Sequence, residues 1–153
     1  MFIKSGRLKI MLPILAIVIA HCTIGVRFVG QYDEILDNST TELQQYTNSY
    51  LSGLKRNVDS PEGSYENNKN FYADVAGMVG ILITRSEISE EGTKKSTLTD
   101  MFNDLQLLYG DLENSHKRDL SLKIIGSMQG AFDRSFGAIT RYLLCLKWHR
   151  KTS

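Results

Sequence analysis

Leu98-Thr99-Asp100-Met101-Phe102-Asn103-Asp104-Leu105-Gln106-Leu107-Leu108-Tyr109-Gly110-Asp111-Leu112 is the stretch that decides the fold. Apolar side chains recur at 98, 101, 102, 105, 108, 109 and 112. Steps of three and four place them on one stripe of a helix, with Asp and Asn between them on the other face. Thr97-Leu98-Thr99-Asp100 reads as a capping box in which Asp replaces the usual Glu or Gln. A helix is predicted from about Leu98 to Glu113.

The same spacing recurs on both sides. Ile35, Leu36, Leu43, Tyr46, Tyr50, Leu51 and Leu54 predict a helix from about Val29 to Arg56, with Asp37-Asn38-Ser39-Thr40 as a cap or kink. Asn38-Ser39-Thr40 also matches a glycosylation sequon, and as a three-residue match it is read as helix surface. Ser60-Pro61-Glu62 is a helix-start signal, because Pro in the first turn lacks only an N–H that would be unpaired anyway. Phe71, Val75, Met78, Val79, Leu82 and Ile83 then predict a helix from about Tyr65 to Ser86. Ala73, Gly77 and Gly80 put small residues beside that stripe, as for a close helix neighbour. A break at 114–118 leads to a last helix, about Asp119 to His149, carried by Leu122, Ile125, Met128, Phe132, Phe136, Ile139, Leu143 and Leu146. Gly126, Gly130 and Gly137 suggest close packing there too. Pro occurs only at positions 13 and 61, which favours helix over turn-rich β structure. Four amphipathic segments with short connections predict an all-α, antiparallel up-down four-helix bundle over residues 28–153.

Ahead of the bundle, residues 1–27 read as a targeting helix. Lys4, Arg7 and Lys9 precede an apolar run from Ile10 to Val26, Arg27 closes it, and the first acid is Asp33. A basic start and an apolar core make the layout of a signal peptide or membrane anchor. The run sits at the short limit of the roughly 17–25 residues a spanning helix needs. Cleavage after Ala20 or Gly25, retention as an anchor, and lipidation at Cys22 all fit, as does a buried helix of a soluble domain. Ile19-Ala20-His21-Cys22 resembles a bacterial lipobox, with His21 where a small residue belongs.

Four of the 18 basic residues lie in residues 1–27, leaving 14 against 17 acids and a net charge of −3 from Phe28 onward. A mildly acidic domain excludes a nucleic-acid footprint. Lys147, Arg150 and Lys151 form a basic C-terminal cluster that suits a helix C-terminus or anionic lipid. The two cysteines are Cys22 and Cys145; no internal disulfide or Cys-based metal site follows, and Cys145 reads as a small buried apolar residue.

The search for chemistry yields no catalytic, cofactor-binding or metal residue. No His-x-x-x-His pair, no Cys-x-x-Cys-His and no glycine-rich phosphate loop occurs. His116 reads as an exposed or capping residue of a connection; a b-type haem on His116 with Met78 or Met128 is a remote alternative. Glu34 with Asp37, and Asp111 with Glu113, read as solvated helix faces. Ten aromatics, among them Tyr46, Tyr50, Tyr65, Tyr72 and Tyr109, are expected mainly in the core.

Tyr32-Asp33-Glu34-Ile35-Leu36-Asp37, Leu43-Gln44, Tyr65, Asn68 and Asn70-Phe71-Tyr72-Ala73-Asp74-Val75 resemble a family of small, functionally uncharacterised bacterial exported proteins. Leu112-Glu113-Asn114-Ser115-His116 and Phe136-Gly137-Ala138-Ile139 fit the same pattern. The resemblance implies export, often as a lipoprotein, with a helical bundle behind the signal and no known activity. The expected function is therefore a non-enzymatic cell-envelope protein, periplasmic or membrane-anchored. It would touch the membrane through its N-terminal segment and act as a binding or structural module for a protein partner. The alternative is a ligand-binding or sensory periplasmic bundle working through a partner protein.

Overall fold

The computed structural model describes residues 30–152. The targeting segment 1–27 and Cys22 lie outside the described residues. Within them are four α-helices and one 3-10 turn, with no strand among them. We label the helices α1 (Glu34–Asn57), α2 (Tyr65–Ser89), α3 (Thr97–Arg118) and α4 (Leu122–Thr152). The 3-10 turn is Pro61–Gly63. Helix α1 packs on α2 and α4, and α3 packs on α2 and α4.

Helix α1 starts where a cap residue allows it. The Asp33 carboxylate accepts from the Ile35 amide at 2.8 Å and the Leu36 amide at 3.3 Å. Glu34 and Asp37 in the first turn, with Lys55 and Arg56 in the last, complement the helix dipole. The cluster 37–40 caps no helix, since α1 is already capped by Asp33 and runs through it. Thr40 and Thr47 are buried because each hydroxyl returns to the carbonyl four residues back, at 2.6 and 2.7 Å. Ser60-Pro61-Glu62 starts the 3-10 turn, and α2 follows from Ser64. Helix α3 outruns its expected end, taking in the stretch 114–118 that reads as a break.

The core follows the apolar stripes. Leu36, Leu43 and Leu51 from α1 meet Val75, Val79 and Leu82 from α2, Phe102 and Leu105 from α3, and Phe132, Phe136 and Ile139 from α4. At the rim, Asp37 pairs with Lys147 at 3.6 Å, and Lys55 bonds Gln129. Arg85 of α2 clasps Asp33 at 2.6 Å.

Three local expectations are corrected. An added Cβ at Gly77, Gly80 or Gly126 would meet no atom within 4 Å, and at Gly130 and Gly137 it would meet only arginine tips at 3.5 Å. These glycines face open space, so they do not serve close helix packing. Cys145 is exposed, because the α4 stripe turns Leu143 and Leu146 inward and leaves position 145 outside. Ile35 is exposed as well, since Leu36 and not Ile35 takes the inward position. Gly77→Ala and Gly126→Ala should each stabilise the protein by about 1 kcal/mol, the helix-propensity difference. A urea titration checks this, and a loss of stability would reveal a contact at those positions.

Candidate functional site

The most elaborate polar arrangement gathers around His116. This residue lies in the last turn of α3, not in a connection, and is only 7% exposed. The exposed or capping role expected of it is thereby corrected. Burial of an imidazole demands partners for both ring nitrogens. Nε2 lies 2.7 Å from the Gly63 carbonyl, which can only accept, so Nε2 carries the proton. Nδ1 is then the acceptor, and the Tyr72 hydroxyl donates to it at 2.7 Å. Tyr50 donates to the Tyr72 oxygen at 3.3 Å. The chain of bonds therefore runs Tyr50, Tyr72, His116, Gly63.

Each member arrives from a different place. Tyr50 comes from α1, Tyr72 from α2 and His116 from α3, while Gly63 closes the 3-10 turn. Aromatic packing fixes their rings. Tyr50 stacks on Phe71 with centroids 3.5 Å apart, and Tyr65 meets His116 edge-on at 5.8 Å. Around the rim, the Tyr65 hydroxyl donates to Glu113 at 2.8 Å, and Lys117 pairs with the same carboxylate oxygen at 2.8 Å. Lys117 also stands 5.0 Å above the Tyr65 ring. Lys117 first, then Tyr65, hold the Glu113 carboxyl below the usual carboxylate range.

Two recesses flank the network. One, of about 430 Å³, is mostly polar and is floored by Gly63, Tyr65, His116 and Lys117. The other, of about 180 Å³, lies between α2 and α3 and is lined by Tyr72, Gln106, Tyr109 and Glu113.

The chemistry of the arrangement follows from its direction. A proton passed from Tyr50 toward His116 would end on a backbone carbonyl, which cannot take it up. Both imidazole nitrogens are engaged, so general-base action or metal ligation would require breaking one of these bonds. The network is a clamp that fastens the 3-10 turn and the start of α2 to the end of α3. Burial pushes the Tyr50 hydroxyl up to about 12 and raises those of Tyr72 and Tyr109 further. These hydroxyls titrate higher when folded than in the unfolded chain, where tyrosine loses its proton near pH 10. Their contribution is thus fully present below about pH 10 and is lost as pH rises toward about 12. The last part of the tyrosinate absorbance, that of Tyr50, Tyr72 and Tyr109, should appear in the same cooperative step in which helical circular dichroism is lost. Ionisation of all seven tyrosines with the helices intact would contradict the clamp.

Sequence reading missed this site. Glu113-Asn114-Ser115-His116 has Glu-x-x-His spacing, the one signal that could have drawn attention to it. The structure turns the two apart: Glu113 engages Tyr65 and Lys117, and His116 engages Tyr72 and Gly63. Among the described residues no group of three or more His, Cys, Asp or Glu could hold a metal ion. The acid pairs considered from sequence do not converge either. Asp37 accepts from Tyr32 at 2.7 Å and pairs with Lys147, while Glu34 and Asp111 are exposed.

A second buried polar group lies where α3 begins. Glu90 is 4% exposed, and its carboxylate accepts from the amides of Leu98 at 2.7 Å and Thr99 at 3.0 Å and from the Thr99 hydroxyl at 2.9 Å. This carboxylate from the end of α2 does the work assigned to the Thr97–Asp100 capping box, for Ser96 at the cap position makes no side-chain cap bond.

The fold and these two polar centres define an all-helical protein with a clamp at each of two helix junctions. No family model matches the sequence, and searches of curated proteins and of solved structures give no match.

Proposed function

We propose that the chain is a non-enzymatic bacterial cell-envelope protein, an exported helical bundle acting as a binding or structural module. One observation carries this reading: residues 1–27 place three basic residues, then a 17-residue apolar run, ahead of a domain of net charge −3. The segment would be held at the membrane as an anchor or through lipid on Cys22, or be removed after export. Among the described residues no helix is long and apolar enough to cross a membrane, so attachment would rest on the segment before them. We also infer an antiparallel up-down order. Asp37, early in α1, pairs with Lys147, late in α4, and Lys55, late in α1, bonds Gln129, early in α4. The polar network supports a binding or structural role, because its bonds end on a backbone carbonyl and fasten helices together. The resemblance to small exported bacterial proteins points the same way.

Fractionation of bacterial cells producing the full chain tests the proposal. Recovery in the membrane or periplasmic fraction is expected, and recovery solely from cytosol would overturn it. The recess lined by Tyr72, Gln106, Tyr109 and Glu113 favours a second reading, a periplasmic ligand-binding or sensory bundle working through a partner protein. Small-molecule binding that is lost in Gln106→Leu, with the fold retained, would select this second reading.

A further inference from the structure

One face of α4 has no use inside the bundle. Arg141, Leu144, Trp148 and Lys151 follow one another at steps of three, four and three, which is one stripe of a helix. The core-facing residues Leu143 and Leu146 lie on the opposite side. Leu144 is 50% exposed and Trp148 is 74% exposed. With Cys145, His149 and Thr152 they line an open, mainly apolar recess of about 380 Å³. Arg150, two positions beyond Trp148, lies on the other side of the helix, against the Tyr32 ring. Favourable charge at a helix C-terminus accounts for Arg150 and Lys151. It does not account for Arg141, nor for an exposed tryptophan and leucine between the cations.

The position of the end of α4 bears on what could cover this face. Lys147 and Arg150 lie 5.2 and 4.6 Å from the Tyr32 ring centroid, and the Gln31 amide bonds the Ser89 carbonyl at 2.8 Å. The end of α4 therefore sits where the chain enters the domain. Val26, the last residue of the apolar run, precedes Gly30 by four positions, a stretch that spans at most about 14 Å. An apolar run held in lipid keeps the end of α4 within reach of the bilayer surface. Tryptophan with an apolar neighbour prefers the headgroup boundary, and flanking Arg and Lys meet anionic headgroups there.

We propose that the outward face of α4, from Arg141 to Lys151, lies on an anionic lipid bilayer, with Trp148 and Leu144 at the headgroup boundary. This rests on the reading of residues 1–27 as a segment that stays at the membrane. Trp148 is the sole tryptophan of the chain, so its fluorescence reports on this face alone. The test uses the full chain reconstituted with phosphatidylcholine vesicles, with and without phosphatidylglycerol, some of the lipid carrying bromine near the headgroup. Vesicle flotation reads attachment separately. Expected are co-flotation, quenching of Trp148 by brominated lipid in the phosphatidylglycerol vesicles, and loss of most of that quenching in Arg141→Glu/Lys151→Glu. Co-flotation with Trp148 still fully open to acrylamide overturns this inference and leaves the membrane reading standing. Absence of co-flotation overturns both. Trp148 shielded from acrylamide but untouched by brominated lipid overturns the inference in favour of a protein segment on this face. Quenching that ignores both phosphatidylglycerol and the charge reversal overturns the anionic-lipid assignment.

Discussion

Gly63→Ala should destabilise the protein by about 3 kcal/mol, at the upper end of what overpacking costs. A Cβ at this position would stand 2.0 Å from the Asn57 carbonyl oxygen and 2.6 Å from its carbon. Both are backbone atoms, so no side-chain rotation can relieve the clash. The turn has little room to shift, because the Gly63 amide donates to Ser60 at 2.9 Å and its carbonyl receives His116. The urea midpoint measures the effect, with Gly77→Ala, which meets nothing, as the control. His116→Phe separates the two halves of the clamp. It keeps the ring and leaves the turn its glycine, but strands the Tyr72 hydroxyl and the Gly63 carbonyl, for a loss of about 2 kcal/mol. Equal stability of Gly63→Ala and the parent would mean that the turn has another conformation available.

Glu90→Ala should cost about 3 kcal/mol. An ordinary N-cap is worth about 1 kcal/mol. Here a buried carboxylate makes three bonds, two to amides at the positive end of α3, and charge-assisted bonds are roughly twice as strong as neutral ones. Its removal leaves the amides of Leu98 and Thr99 unpaired in a site closed to water. The loss should be concentrated at the start of α3, so hydrogen exchange at Leu98 and Thr99 should speed up more than at Leu112. Uniform acceleration along the helix would show that Glu90 acts on global stability and not as a cap.

The helices were legible because their evidence is local. Leu98, Phe102, Leu105 and Leu112 announce α3 by spacing alone, and all four are buried. The clamp was not legible, because its partners are far apart in sequence. His116 meets Tyr72 from 44 residues away and Gly63 from 53. No periodicity encodes such pairings, and the polar stretch 114–118 reads as a connection until the tertiary contacts are known. Glu90 was hidden for a related reason. A charged residue in a polar stretch reads as loop surface, and only the fold of 91–96 turns it back onto α3. The open glycines and exposed Cys145 show the converse. Spacing assigns them a helix face, but only the neighbouring helices decide whether that face is covered.

The central claim, export to the envelope, rests on residues 1–27 and is tested most directly by intact mass. The chain would be recovered from the membrane and periplasmic fractions of its native host and weighed whole. The account predicts one of four masses in those fractions: a chain cut after Ala20, a chain cut after Gly25, a chain beginning at a lipidated Cys22, or the full chain in the membrane. A full-length, unmodified chain found only in the cytosol would contradict it.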